Sequence, residues 1–141
     1  VILLDTDVLS ALMATRPDPR VVAWLDRRPA ISVWTSAVTV YEIRFGIDRL
    51  PPGRRRDALD AAFAAFLAED IEGRVVPLDG AAAASAGAVA ARLGSAGRSI
   101  EIRDAMIAGI ALARRATLAT RNVGRFGGTG VPVDDPWADE G

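Results

Sequence analysis

The chain has 141 residues and contains no histidine, no cysteine and no lysine; all 17 of its basic residues are arginine. Each absence removes a mechanism. Without cysteine there is no disulfide, no thiolate nucleophile and no sulfur-based zinc site. Without histidine there is no imidazole base, no Ser-His-Asp triad and no imidazole metal ligand. Without lysine there is no Schiff base and no P-loop lysine. Chemistry done by this chain must draw on carboxylates, hydroxyls, arginine, backbone amides and a hard metal ion.

Long hydrophobic runs are missing too. No stretch approaches the roughly 20 strongly apolar residues that cross a membrane, and the run from Gly80 to Ala91 is mostly alanine, glycine and serine, as in a short amphipathic helix. No basic segment precedes an apolar one at the start, so no secretory signal is expected and a cytoplasmic location is. Neither sign of charge dominates: 17 basic against 18 acidic residues give a net charge of −1. That balance argues against a non-specific nucleic-acid coat protein. It leaves local arginine groups (Arg54–Arg56, Arg114–Arg115, Arg121 with Arg125) that grip a few phosphates or simply face solvent.

What is present is apolar: 50% of the residues are hydrophobic, many of them alanine, which is ample for one core. At this length roughly two thirds of the unfolded surface is buried on folding. A single domain over residues 1–137 is expected, followed by a short acidic tail, 138–141.

Val1–Leu4 is a continuous apolar run ending at Asp5, as a buried parallel strand would. Asp7 is placed to cap a helix through Ala14, and Pro17-Asp18-Pro19 starts another that Pro29 ends. Ile31–Thr35 is a second strand candidate, and Ser36 caps a helix to about Asp48. After Pro51-Pro52-Gly53 an alanine-rich helix runs to about Glu69. Arg74–Leu78 reads as a strand and Asp79 as the cap of a helix ending near Gly94 or Gly97. Ser99 caps a periodic helix from Ile100 to Arg114. Ala116–Ala119 and Val131–Val133 are short strands separated by the glycine-rich loop Gly124–Gly130. Strands alternating with helices imply an α/β sandwich around a mainly parallel sheet of four to five strands.

Three acids stand out against this frame. Asp5 ends the first strand and so faces the carboxyl edge of the sheet, where ligands bind in such folds; it also suits a plain helix cap. Glu42 has Val38 at i−4 and Phe45 at i+3, which puts a carboxylate on the apolar stripe of its helix. Asp104, between Ile100 and Ile107, repeats that anomaly. A charge facing a core costs several kcal/mol unless it is paired or bound to metal. For Asp104 the pairing alternative has Arg103 and Arg121 as partners. A metal would neutralise all three acids together, and an all-oxygen site selects Mg²⁺ or Mn²⁺, ions suited to phosphoryl chemistry. Asn122, Thr6 and Thr120 add neutral oxygen donors.

Four segments carry a resemblance. Val1 to Ser10, with Asp5-Thr6-Asp7, resembles the opening strand and first acidic motif of PIN-domain ribonucleases; Ser36 to Gly46, around Glu42, resembles the second. Arg103-Asp104-Ala105-Met106-Ile107-Ala108 resembles the third and Ala119-Thr120-Arg121-Asn122-Val123 the fourth. Order and spacing match from Val1 to Trp137, and the likeness is to VapC-type toxins of type II toxin–antitoxin pairs, including the FitB-like branch. The resemblance implies a three-layer α/β/α fold and a Mg²⁺- or Mn²⁺-dependent endoribonuclease with Asp5, Glu42 and Asp104 as catalytic and metal-binding acids. Asn122, Asp7, Thr6 and Thr120 would support them, and Arg121 would touch substrate. It further implies a homodimer held inactive by a VapB/FitA-like antitoxin, with operator DNA bound only through that antitoxin. Leu9, Leu12, Trp24, Phe45 and Leu50 are candidates for the antitoxin contact, or equally for the core. Two departures are visible: Asp7 stands where such proteins commonly have Asn, and Asn122 where many have an acid.

Two other readings compete. Asp5-Thr6-Asp7, with the late pair Asp134-Asp135, also resembles haloacid dehalogenase-type phosphatases, although that reading leaves Glu42 and Asp104 unexplained. The missing fourth acid is compatible with a PIN-like module that binds a partner and cleaves nothing.

Overall fold

The apolar run at the start of the chain forms the middle of a sheet. In the computed structural model, which describes residues 1–138, β1 (Ile2–Leu4) lies between β2 (Val33–Ser36) and β4 (Thr117–Ala119). β3 (Val75–Val76) adds to β2 and β5 (Val133–Asp134) to β4, giving the order β3-β2-β1-β4-β5 with every pairing parallel. Leu4 pairs with Thr35 on one side and Ala119 on the other, so the three central strands end nearly level.

Leu3 and Leu4, each about 1% exposed, point to opposite faces of the sheet and seed two separate cores. Leu4 packs with Val8, Leu9, Trp24, Ile43 and Phe63, from α1 (Thr6–Met13), α2 (Pro19–Asp26), α3 (Ala37–Asp48) and α4 (Arg54–Ala65). Leu3 packs with Ala82, Ile107 and Ile110 of α5 (Gly80–Ser95) and α6 (Ile102–Arg114), and with Leu118 and Phe126. The result is the three-layer α/β/α sandwich. Leu9 and Trp24, considered above as partner contacts, are fully buried core residues. No helix among the described residues is long and apolar enough to cross a membrane.

Several helix ends follow their capping residues. Ser36 Oγ accepts from Thr39 N at 3.1 Å, and Asp79 Oδ1 from Ala82 N at 2.9 Å. Two ends differ from expectation. Asp5, not Asp7, caps α1, accepting from Thr6 N at 2.8 Å; Asp7 lies inside the first turn and accepts from Val8 N at 2.8 Å. α6 starts behind Glu101 rather than Ser99, because α5 closes with Gly97 at positive φ (78°) and Arg98 N bonded to Leu93 O at 2.8 Å. That closure uses up the residues up to Ser99 as linker. β2 begins two residues late because Ala30–Ser32 form a 3₁₀ turn after Pro29. Of the acidic tail, residues 139–141 lie outside the described residues.

Candidate active site

Strand order places the site. From β1 the chain builds outward through β2 and β3 on one side and through β4 and β5 on the other. Such a switch point opens a crevice at the carboxyl ends of the strands. The residues just after β1 and β4 fill it: Asp5, Thr6 and Asp7 from one, Thr120, Arg121 and Asn122 from the other. Asp5 N bonds to Ala119 O at 2.9 Å and fixes their register.

Asp5 is the buried centre of the group, 6% exposed. Its Oδ2 accepts the Thr120 hydroxyl at 2.8 Å and its Oδ1 the Thr6 amide. Burial, reinforced by the neighbouring Asp7 carboxylate and more weakly by Glu42, pushes its pKa from 3.8 up to about 6; the two hydrogen bonds only partly oppose this. Among the described residues no arginine pairs with it. Asp7 leans on the same strand end: its Oδ2 takes Arg121 N at 2.9 Å, Asn122 Nδ2 at 3.0 Å and the Thr120 hydroxyl at 3.3 Å.

Glu42 reaches the group from α3. Its Oε1 accepts the Thr6 hydroxyl at 3.0 Å, and its Oε2 pairs with Arg103 at 3.4 Å. Its setting differs from the core-facing stripe inferred from spacing. Val38 is buried, but Phe45 is 53% exposed, so Glu42 sits on the rim of the helix face where it meets the crevice. Thr39, one turn earlier, was not singled out from the sequence; its hydroxyl lies 3.4 Å from both Thr6 Oγ1 and Ser36 Oγ.

Asp104 stands apart from Asp5 and Glu42. It occupies the first turn of α6 and lines a cavity of about 250 Å³ with Ser99, Ile100, Glu101 and Arg125. Burial raises its pKa, with Glu101 adding to the rise and Arg125 and Arg103 opposing it. The expected partners are otherwise engaged: Arg103 pairs with Glu42, and the Arg121 guanidinium lies 5.0 Å from the centre of the Trp137 ring. Among the described residues no three acids stand close enough to hold a metal ion as they are placed. Asp5, Asp7 and Glu42 are electrostatically coupled, and Arg103 links that group to the α6 side.

The late acids do not join the site. Asp134 Oδ2 accepts from Trp24 Nε1 and Arg28, each at 3.0 Å, and Asp135 accepts from Trp137 N. This removes the pair on which the phosphatase reading drew.

A parallel α/β sandwich with carboxylates and hydroxyls gathered at its switch point is the form of a PIN domain. The chain belongs to the PIN domain family, which it matches over residues 2–126. It is similar to toxin FitB of Neisseria gonorrhoeae, 36% identical over 138 residues that cover 98% of this chain and 99% of the relative. It is also similar to a VapC ribonuclease of Sinorhizobium fredii, 35% identical over 136 residues covering 96% and 97%. In three dimensions it resembles a chain of FitAB bound to a DNA fragment, with a TM-score of 0.90, 35% identity, and coverage of 100% of this chain and 99% of that one.

Proposed function

We propose that the chain, as one nuclease domain over residues 1–137, is an endoribonuclease toxin that hydrolyses RNA phosphodiester bonds with a divalent ion, Mg²⁺ or Mn²⁺. The observation that carries this reading is the buried Asp5, coupled to two further carboxylates and without a basic partner among the described residues. Its donor types suit a hard ion, with carboxylate oxygens from Asp5, Glu42 and Asp7, hydroxyls from Thr6 and Thr120, and the amide oxygen of Asn122, and the acids would draw together on binding it. Asp5 and Glu42 would hold the ion, and Asp104, half-buried on α6, would complete the set. Bound there, such an ion supplies the positive charge that lets a phosphodiester approach an acidic crevice and stabilises charge developing on it.

The protein supplies the rest. Thr120 and the Thr6 amide hold both oxygens of Asp5 in place, and the Thr6 hydroxyl and Arg103 each hold one oxygen of Glu42. Arg125, which lines the Asp104 cavity, and Arg121, once released from the Trp137 ring, would contact phosphate. Similarity to FitB and VapC proteins supports control by a VapB/FitA-like antitoxin, with operator DNA reached through it, and the reading includes a homodimer. The net charge of −1 suits that division.

The test is direct. Purified chain, free of antitoxin, is incubated with RNA and Mg²⁺ or Mn²⁺. Cleavage is expected, stopped by EDTA and reduced on the order of a hundredfold or more by Asp5→Asn. A well-folded protein that binds the ion and cuts no RNA would instead be the non-catalytic binding module.

A further inference from the structure

The two departures noted in the sequence, Asp7 and Asn122, meet in space. Asp7 Oδ2 collects three donors from the segment after β4: Asn122 Nδ2 at 3.0 Å, Arg121 N at 2.9 Å and the Thr120 hydroxyl at 3.3 Å. Its Oδ1 is occupied by Val8 N at 2.8 Å. The contact with Asn122 also sets the amide, whose NH₂ faces Asp7 and whose carbonyl oxygen is turned away from it. An acid at both positions would bring two carboxylates together in a partly buried place. An amide at both would strip a charge from beside Asp5. Only one acid and one amide keep both the pairing and a single charge beside Asp5.

We propose that Asp7 and Asn122 form a single acid–amide unit, in which Asp7 carries a further negative charge of the site and Asn122 positions it. The acid can then be exchanged between the two positions but neither omitted nor doubled. Asp7 meets the geometric requirement because the Thr120 hydroxyl, which donates to Asp5 Oδ2 at 2.8 Å, also lies 3.3 Å from Asp7 Oδ2, which places the two carboxylates about one hydroxyl. This inference rests on the divalent-ion reading above for its effect on binding, while the coupling between the two side chains is independent of any ion.

Four proteins decide it: the natural chain, Asp7→Asn, Asn122→Asp and the double exchange Asp7→Asn/Asn122→Asp. Two quantities are read, Mn²⁺ affinity by calorimetric titration and the melting temperature in EDTA. Asp7→Asn is expected to weaken Mn²⁺ binding about tenfold. Asn122→Asp is expected to lower the metal-free melting temperature through repulsion between the two acids. The double exchange should recover part of each loss, though not all of it, because an amide at position 7 turns its NH₂ toward Val8 N or Arg121 N; such non-additivity is shown only by contacting residues. Melting-temperature changes that simply add, or Mn²⁺ affinity unmoved by Asp7→Asn, would overturn the proposal. If Asn122→Asp does not fold, comparing Asp7→Asn with the double exchange still decides: recovered affinity supports the unit and unrecovered affinity refutes it. A natural chain that binds no Mn²⁺ sinks the divalent-ion reading instead, and the metal-free melting temperatures then judge the unit alone.

Discussion

At the scale of single residues, Asp5 holds a charge where the fold makes charge expensive. With its pKa raised from 3.8 to about 6, the folded protein binds more protons than the unfolded chain across that interval. Below about pH 4 the carboxyl is neutral in both states and no penalty exists. Stability therefore falls as pH rises through the interval, and above it the full penalty applies, on the order of 3 kcal/mol. In EDTA, Asp5→Asn is expected to be markedly more stable than the natural chain at pH 7 and to lose that advantage at pH 4. Melting curves across this range check it; parallel pH courses for the two proteins would show that Asp5 bears no such penalty. The placement of this residue at the carboxyl edge of the sheet was legible in the sequence, because an acid ending an apolar strand is conspicuous. The Glu42 position was legible only in part: helical spacing identified the acid, yet could not show that Phe45 turns to solvent and leaves Glu42 on the rim. Thr39 and the Glu42–Arg103 pair gave no local signal at all, since both depend on how α3 meets the ends of β1 and α6.

At the scale of elements, the second core is built on small residues. Gly109 of α6 packs against α5 so closely that an added Cβ would lie 2.6 Å from Ala86 N and 2.7 Å from Ala86 Cβ, and would also strike Ala82 O. Both obstacles include backbone, which moves only with the helix. Alanine would otherwise favour the helix by about 1 kcal/mol, but overpacking here outweighs it. Gly109→Ala is expected to destabilise the protein by about 1–3 kcal/mol or more in urea unfolding; a neutral or stabilising result would mean that the two helices separate freely. The alanine richness of the chain is in keeping with close helix packing in general, whereas the contact point needed the structure. The helix boundaries divide in the same way. Ser36 and Asp79 cap as their positions suggest, but Ser99 does not, because the glycine closure of α5 is a property of the preceding helix rather than of serine.

At the scale of the whole molecule, one side remains apolar. Tyr41, Phe45 and Ile102 are 59%, 53% and 70% exposed, and Tyr41 and Ile102 line a cavity of about 520 Å³ between α3 and α6, with Val38, Leu78 and Met106. Arg103 lines the same cavity and pairs with Glu42, so this face adjoins the acidic crevice. On the homodimer proposed above, we assign this face to a second copy of the chain, in place of the antitoxin contact that the sequence reading offered for Phe45. Ile102→Glu is therefore expected to shift the protein from dimer to monomer in sedimentation experiments while leaving its circular dichroism unchanged; an unaltered dimer would place the interface elsewhere. The fold class and the order of the acids were readable because they follow from strand–helix alternation and from acids at conspicuous positions. The spacing of Asp104 from the other two was not, since it depends on the loop leading into α6. Strand order also bears on how the protein is made. Asp5, Asp7 and Glu42 leave the ribosome well before β4, which brings Thr120 and Asn122. Until then β1 lacks a neighbour on one edge and Asp5 lacks its hydroxyl, so a chain made only as far as α6 has its acids but no assembled site.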